Sequence, residues 1–324
     1  MTSGDTPDTS TVYKSFAREA AESGSPVYKN LASQIAVHGE LLDLIDQLPL
    51  IKRQPNLLLA AVRFLDGPVN DFASFKSWTL KNWEEIAGVM RVRMTQTNEA
   101  GRCASLLPLL TQIPGPLALL EVGASAGLCL YPDRYQYQYG SQRIGDPNSP
   151  LLLMCETSGA VPIPGTVPNV IWRGGIDLNP LDLTDATDFR WLESLIWSGQ
   201  EDRVTRLRLA ANIVRSDPPK IIKGDLNNDL RALVEKVPPE ATLVIFHSAV
   251  LTYLSEDERR TFVDTVGNLP GHWISNEGPH VLPDVAERVP KRSQGDAVRF
   301  LMAFDGTPVA WTAPHGQSLE WIAS

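Results

Sequence analysis

The stretch LALLEVGASAGLCL, residues 117–130, decides between two chemistries for this chain. Residues 123–127 fit G-x-S-x-G, the strained turn that exposes a nucleophilic serine at the end of a hydrolase strand. Read from Glu121, the same stretch gives E-x-G-x-x-x-G: an acidic residue at the end of an apolar strand, followed by a turn of small residues that enters a helix. That arrangement is typical of loops that hold a nucleotide-like cofactor. Ser125 is therefore either a nucleophile or a small residue in a cofactor loop.

The pattern of the chain changes at Pro114-Gly115-Pro116, just before this stretch. Residues 11–112 place apolar side chains at helical spacing and contain no clear strand. Short β-rich runs then alternate with helical segments, at residues 117–122, 170–176, 220–223, 242–247 and 273–275. This alternation predicts βαβ units in a mostly parallel sheet. Two runs around Asp305-Gly306 predict a terminal antiparallel hairpin, so we expect a three-layer α/β sandwich with a helical N-terminal cap.

We predict two domains: a helical cap or lid over residues 1–113 and a cofactor-binding domain over residues 114–324. An insertion at about 131–169 interrupts the second domain. Within it, Tyr135, Tyr137 and Tyr139 alternate with glutamines, which predicts a β-hairpin with one tyrosine face. This ribbon either packs on the edge of the domain or forms a wall of the substrate pocket, where Tyr137 would contact substrate.

A hydrolase would need strands and an oxyanion-hole segment upstream of Ser125. The preceding region is mostly helical, and its one histidine, His38, lies in a helical pattern. Histidines that follow Ser125 leave the chain order of a catalytic triad open: His247, His272, His280 and His315. A serine esterase using Ser125 therefore stays an alternative.

Polar residues follow the later strands where open α/β sheets bind ligands. Asp177 ends the second strand, where a carboxylate can accept hydrogen bonds from both hydroxyls of a ribose. Asp225 ends the third, where it can accept from an adenine amino group while Leu226 packs on the ring. His247 and Glu277 end the fourth and fifth strands, and each is a candidate general base.

The acidic strand end with its glycine turn, G-I-D after the second strand and G-D-L after the third resemble the motifs of Rossmann-type S-adenosylmethionine-dependent methyltransferases. The motifs TNEAGR, WRGGIDLNPLD and VIFHSAVLTYL are similar to a bacterial family of unknown function usually placed near those enzymes. This resemblance implies a Rossmann-like fold that binds S-adenosylmethionine (SAM) and methylates a small molecule. A binding protein that keeps the pocket without catalysis is a further alternative.

Carried over residue by residue, the resemblance implies that Glu121, Gly123 and Gly127 shape the pocket for the methionine part. Ser125 stands where the methyltransferase pattern has its middle glycine. Asp177 would hold the ribose, Asp225 and Leu226 would hold the adenine, and His247 would line the site below the sulfonium. NAD is the other cofactor left open.

TNEAGR also groups Asn98, Glu99 and Arg102 at helical spacing. In one interpretation Glu99 and Arg102 form a surface ion pair, and Asn98 or Thr97 caps a helix. In the other these side chains line the cleft, with Glu99 and Arg102 in catalysis and Asn98 and Arg102 at the substrate.

The composition limits the classes of partner that we expect for this protein. The net charge of −9 argues against a nucleic-acid partner, so we expect a small-molecule substrate. No apolar run is long enough to span a bilayer and no secretory signal begins the sequence, so we expect no membrane partner and a cytoplasmic location. Cys103, Cys129 and Cys155 are widely spaced, which predicts neither disulfides nor a metal site.

Overall fold

A computed structural model describes residues 8–96, 98–290 and 298–323, and the chain divides into two compact units. The first comprises the described residues of Met1–Thr97 and Thr184–Thr205, and the second those of Asn98–Leu183 and Arg206–Ser324. These limits differ from the predicted boundary at residue 113. The segment 184–205 belongs with the first unit, where Trp191 Nε1 donates to the Met94 carbonyl at 3.0 Å. The role of the first unit as a cap stays a prediction.

The described residues form twelve α-helices. In chain order they are α1 (Thr9–Glu22), α2 (Pro26–Ile35), α3 (Gly39–Ile45), α4 (Pro55–Phe64), α5 (Phe72–Lys81), α6 (Trp83–Val92), α7 (Arg102–Leu110), α8 (Ala186–Leu195), α9 (Glu201–Ser216), α10 (Leu226–Val234), α11 (Glu256–Gly267) and α12 (Pro283–Ala286). The helical prediction for residues 11–112 is confirmed. None of the described helices is both long and apolar enough to cross a bilayer.

Local sequence signals explain several of the helix starts. The Asp71 side chain accepts a hydrogen bond from the Ser74 amide and caps α5, and Asp185 caps α8 in the same way. Pro55 occupies the first turn of α4, where its missing N–H costs nothing. Ser255 and Glu258 form a reciprocal capping box on α11.

All described strands lie in the second unit, in a single sheet. They are β1 (Leu117–Val122), β2 (Gln136–Tyr139), β3 (Gln142–Ile144), β4 (Leu152–Ser158), β5 (Val170–Asp177), β6 (Lys220–Lys223), β7 (Thr242–Ser248), β8 (His272–Glu277), β9 (Phe300–Phe304), β10 (Thr307–Thr312) and β11 (Ser318–Trp321). Their order is β3-β2-β4-β11-β10-β9-β8-β7-β1-β5-β6. The predicted mostly parallel sheet and its terminal antiparallel strands, β9 and β10, are confirmed.

The central strands have a Rossmann-like order. Read by chain position from the β6 edge, β6-β5-β1-β7-β8 corresponds to 3-2-1-4-5, and every neighbouring pair among these strands is parallel. The next strand, β9, runs antiparallel to β8. The sixth strand thus keeps its place in the Rossmann order but runs in the opposite direction.

Helices cover the sheet on both faces. On one face, α10 and α11 bury Leu230 and Phe262 against strand residues that include Leu120 and Ile245. On the other face α7 lies beside Glu121, and every residue of α7 is buried. The fold is therefore a three-layer α/β sandwich, as the sequence predicted.

Candidate functional site

The site predicted from the sequence lies at the carboxyl ends of the parallel strands. β1 pairs with β5 on one side and with β7 on the other, so the direction of strand addition reverses between β1 and β7. In open α/β sheets, ligands bind in the crevice beside such a reversal. The loop that follows β1 lies beside this reversal.

Small residues in the loop after β1 are required by its close packing. Gly123 and Gly127 have φ angles of 69° and 74°, in the left-handed region that favours glycine. A Cβ on Gly123 would lie 2.4 Å from Val250 Cγ2, and one on Gly127 would lie 2.8 Å from Pro219 Cγ. Ser125 also has a positive φ, 50°, and its buried hydroxyl has no hydrogen-bond partner among the described residues.

Two predicted site residues hold this loop through hydrogen bonds. Asn98 accepts from the Leu128 amide at 2.8 Å and donates to the Ala124 carbonyl at 3.2 Å. Asp177 Oδ2 accepts from the Ser125 amide at 2.8 Å, and its Oδ1 accepts from the Asn179 amide at 2.7 Å. The structure thus brings Asn98 and Asp177 to the β1 loop, and both contribute to its shape.

Glu121, at the end of β1, has a buried carboxyl group with one unsatisfied oxygen. It is 6% exposed, and its Oε2 has no hydrogen-bond partner in the described part of the chain. Burial raises the pKa of Glu121 well above its ordinary value, as does the neighbouring Cys129 thiol, while the Arg102 guanidinium lowers this pKa. The Glu121 carboxylate would gain from a cationic partner.

Arg102 and Glu99 are also buried at this edge of the sheet. Arg102 Nε donates to the Pro314 carbonyl at 2.9 Å, and one terminal nitrogen donates to the Ser248 carbonyl at 3.0 Å. Glu99 forms an ion pair with Arg206 at 2.7 Å. The predicted surface pair is wrong in that both side chains are buried. The predicted cap is wrong for Asn98, because the cap residue of α7 is Gly101; Thr97 lies outside the described residues.

His247 is enclosed in the core, and both of its ring nitrogens are engaged. Trp273 Nε1 donates to His247 Nε2 at 3.0 Å, so Nε2 accepts and the ring proton is on Nδ1. Nδ1 then donates to Glu277 Oε1 at 2.8 Å. The His247 side chain is 0% exposed. It could act as a base toward a ligand only after its bond with Trp273 breaks.

Glu277 holds the loop that follows β7. Its Oε1 accepts from the amides of Val250 and Leu251 at 2.9 and 3.1 Å, in addition to the bond with His247. Val250 is the residue that packs against Gly123. Glu277 therefore positions one wall of the crevice between β1 and β7.

Asp225 and Leu226 lie at the end of β6. Asp225 caps α10, with Oδ1 accepting from the amides of Asn227 and Asn228 at 2.9 and 3.1 Å. Leu226 belongs to the hydrophobic core and is 9% exposed. The predicted contacts of both residues with adenine stay predictions.

The three tyrosines of the insertion face inward, as an edge ribbon packed on the unit would place them. β2 and β3 form the predicted hairpin, and the three rings are at most 2% exposed. Their hydroxyl groups donate to the carbonyls of Leu128, Pro132 and Ala104, respectively. Tyr137 in particular is 0% exposed, and its hydroxyl bonds Pro132 at 2.6 Å. Its contact with substrate stays a prediction.

A protein family described as "Uncharacterized protein conserved in bacteria" matches residues 10–321. The chain belongs to this family, DUF2332. The match covers nearly the whole chain, including the β1 loop and all eleven described strands. No curated protein matches the chain. The DUF2332 description names no activity, so the chemistry has to be argued from the site.

The DUF2332 chain also contains a row of buried polar side chains that the sequence did not indicate as site residues. Thr312 Oγ1 donates to Asn276 Oδ1 at 2.7 Å, and Asn276 Nδ2 donates to Ser248 Oγ at 3.1 Å. Asn276 and Thr312 are both 0% exposed. The available signal was an asparagine inside the buried strand β8, since buried polar side chains require partners.

No group of three or more His, Cys, Asp or Glu side chains suited to a metal ion occurs in residues 8–96, 98–290 and 298–323. The free cysteines Cys103, Cys129 and Cys155 are all buried. Burial raises the pKa of the Cys155 thiol to about 12, which leaves this thiol protonated at neutral pH.

Proposed function

We propose that this DUF2332 protein binds SAM at the carboxyl edge of its sheet, as a methyltransferase-like protein acting on a small molecule. The observation that carries the proposal is the buried Glu121 carboxyl group, whose Oε2 has no partner, at the end of the strand beside the reversal. Leaving such a group unpaired costs free energy, so the site is suited to a ligand that supplies the partner.

The negative charge of an ionised Glu121 carboxylate favours SAM over NAD as the ligand. An ionised carboxylate in a buried position is stabilised by a nearby positive charge and destabilised by a negative one. SAM has a cationic ammonium and a cationic sulfonium group, whereas the diphosphate of NAD is anionic. Arg102, whose charge acts on Glu121, is the natural partner for the carboxylate of the methionine part.

The surrounding residues suit the rest of the ligand. A carboxylate oxygen can accept more than one hydrogen bond, so a ribose hydroxyl can share Asp177 with the Ser125 and Asn179 amides. Asp225 and Leu226 follow β6, at the same edge, where the adenine would lie. When bound, SAM supplies an electrophilic methyl group; the residues of the chain orient the ligand and exclude water.

A second candidate is a protein that binds SAM or S-adenosylhomocysteine (SAH) without methyl transfer. The observation that favours it is the state of the two predicted bases, because His247 and Glu277 bond each other and the surrounding core. Catalysis on an acceptor that needs no deprotonation remains compatible with this arrangement. The serine esterase has less support, because no described histidine bonds the Ser125 hydroxyl.

The cytoplasmic location, the small-molecule substrate and the lack of a nucleic-acid partner stay predictions from composition.

Calorimetric titration of the purified protein with SAM, SAH, methionine, adenosine and NAD tests the proposal. We expect micromolar binding of SAM and SAH, weak binding of each fragment and no binding of NAD. Absence of saturable binding by both SAM and SAH, or equally tight binding of NAD, would contradict it. If SAM binds, release of SAH in the presence of small-molecule nucleophiles separates the methyltransferase from the non-catalytic candidate.

A further inference from the structure

A cavity lies at the amino ends of the central strands, opposite the strand ends at which the proposed SAM site lies. Its volume is about 530 Å³, and the residues that line it include Ile113, Pro162, Val309 and two aromatic residues, Phe304 and Trp321. His272 lines it at the first residue of β8, whereas Glu277 ends that strand at the other edge. The cavity is therefore separate from the crevice between β1 and β7. Its volume lies within the range of small-molecule sites.

His272 is the titratable group in this largely apolar wall, and Asp305 orients it. His272 Nδ1 lies 2.8 Å from Asp305 Oδ2, and the imidazole stacks on Phe304 with ring centroids 4.8 Å apart. Asp305 is itself fixed, because its Oδ1 accepts from the Trp273 amide at 2.7 Å and its own amide donates to the Trp273 carbonyl at 2.8 Å. The imidazole is thus held in one orientation.

The aspartate also selects the form of the histidine. A carboxylate at Nδ1 favours the tautomer with its proton on Nδ1, which leaves Nε2 as a hydrogen-bond acceptor. Within the described residues, Nε2 makes no hydrogen bond, and the His272 side chain is 32% exposed. The cavity therefore combines aromatic and aliphatic walls with one positioned acceptor.

We propose that this cavity binds an aromatic small molecule that carries a hydrogen-bond donor, of the phenol or indole class, with the donor directed to His272 Nε2. The rings of Phe304 and Trp321 favour a planar aromatic ligand, since aromatic pairs gain from stacked and edge-to-face contacts. An aromatic acid fits poorly, because its carboxylate would need an N–H on Nε2 and would lie near the Asp305 charge.

Indole, N-methylindole and indoleacetate form a matched set of probes. Indole has the donor, N-methylindole has the same rings without it, and indoleacetate adds a negative charge. In NMR titrations of the full chain we expect saturable indole binding, at least about tenfold tighter than that of either other probe. Contacts between indole protons and the Trp321 ring would locate the ligand. Equal affinity for indole and N-methylindole, tighter binding of indoleacetate, or contacts elsewhere would overturn the proposal.

His272→Phe removes the acceptor and keeps an aromatic ring, so indole should bind this variant no more tightly than N-methylindole does. Val309→Trp fills the cavity and should abolish binding of all three probes. Unchanged indole affinity in folded His272→Phe would overturn the proposal. The probe comparison in the unmodified chain decides the question if either variant fails to fold. SAM binding should be unchanged in His272→Phe, so failure of this inference is distinguishable from failure of the proposed function.

Discussion

Glu121 and Glu277 are both buried carboxyl groups at the carboxyl ends of parallel strands, but their surroundings differ. Glu277 Oε1 accepts three hydrogen bonds, from His247, Val250 and Leu251, although its Oε2 has no partner. Glu121 faces the Cys129 thiol and the Arg102 charge, and its pKa is raised. Glu277 therefore stabilises the loop after β7, whereas Glu121 is kept at a cost in stability that a ligand can offset.

The largest effect is expected for Glu277→Ala. Removal of this carboxylate leaves the amides of Val250 and Leu251 and the His247 N–H without their acceptor in the core. We expect the free energy of unfolding to fall by about 3–5 kcal/mol, as for other broken buried networks. Urea denaturation measures this change.

Asp225→Ala is the matched control, because it removes a carboxylate that caps a helix at a less buried position. Loss of such a cap costs about 1 kcal/mol. If Glu277→Ala costs no more than Asp225→Ala, the structural role of Glu277 is wrong.

Glu121→Gln is expected to act on stability in the opposite direction. The ordinary pKa of this carboxyl is 4.5, and burial raises it in the folded chain. As pH rises from about 4.5 to the raised pKa, the unfolded chain loses this proton first, so the free energy of unfolding falls. Glutamine removes this penalty and should stabilise the chain by about 1–3 kcal/mol at about pH 8 and by little near pH 4. Urea denaturation across this pH range measures it. A variant that is less stable than the wild type at about pH 8 would contradict this account.

Tyr137→Phe tests whether Tyr137, like Glu277, contributes to the stability of the fold and not to ligand binding. The variant removes the hydroxyl that bonds the buried Pro132 carbonyl. We expect a loss of about 1 kcal/mol in the free energy of unfolding and a change in SAM affinity of less than about twofold. A large loss of ligand affinity with unchanged stability would instead support the pocket-wall interpretation of Tyr137.

The smallest effect is expected for Ser125→Gly, beside Glu121. Ser125 has a φ of 50° and a buried hydroxyl without a partner, so glycine relieves strain at the cost of backbone entropy. We expect a change in stability within about 1 kcal/mol and SAM binding that is retained. Capture of the wild-type chain by a fluorophosphonate at Ser125, lost in this variant, would favour the esterase.

The periodicity of the sequence was enough to predict the helical first region and the five parallel strands. Runs such as residues 117–122 and 242–247 are largely apolar apart from Glu121, Thr242 and His247, and they pair in parallel in the folded chain. β4 was missed because its second half is polar, and β11 because it has only four residues. The two strands also pair across a long separation in the chain, as with Glu156 and Ser318. Such a pairing leaves no local pattern.

The positions of the strand ends could be predicted from the sequence, but the hydrogen-bond partners of the side chains at those ends could not. A histidine at the end of β7 suggested a base, while the structure bonds it to Trp273 and Glu277 on the neighbouring strand. Likewise, the sequence left Asn98 either at a helix cap or in the cleft, whereas the folded chain bonds it to Ala124 and Leu128 in the β1 loop. These roles depend on neighbours that only the folded chain brings together.

The most direct test of the account is calorimetric titration of SAM into the wild-type chain and Glu121→Gln at about pH 8, with Tyr137→Phe as a variant that should keep binding. We expect micromolar binding by the wild type and a loss of at least about 100-fold, about 2.7 kcal/mol, in Glu121→Gln, although that variant is the more stable protein. Equal SAM affinity in the wild type and Glu121→Gln would show that the buried carboxylate takes no part in binding SAM, contrary to the proposed function.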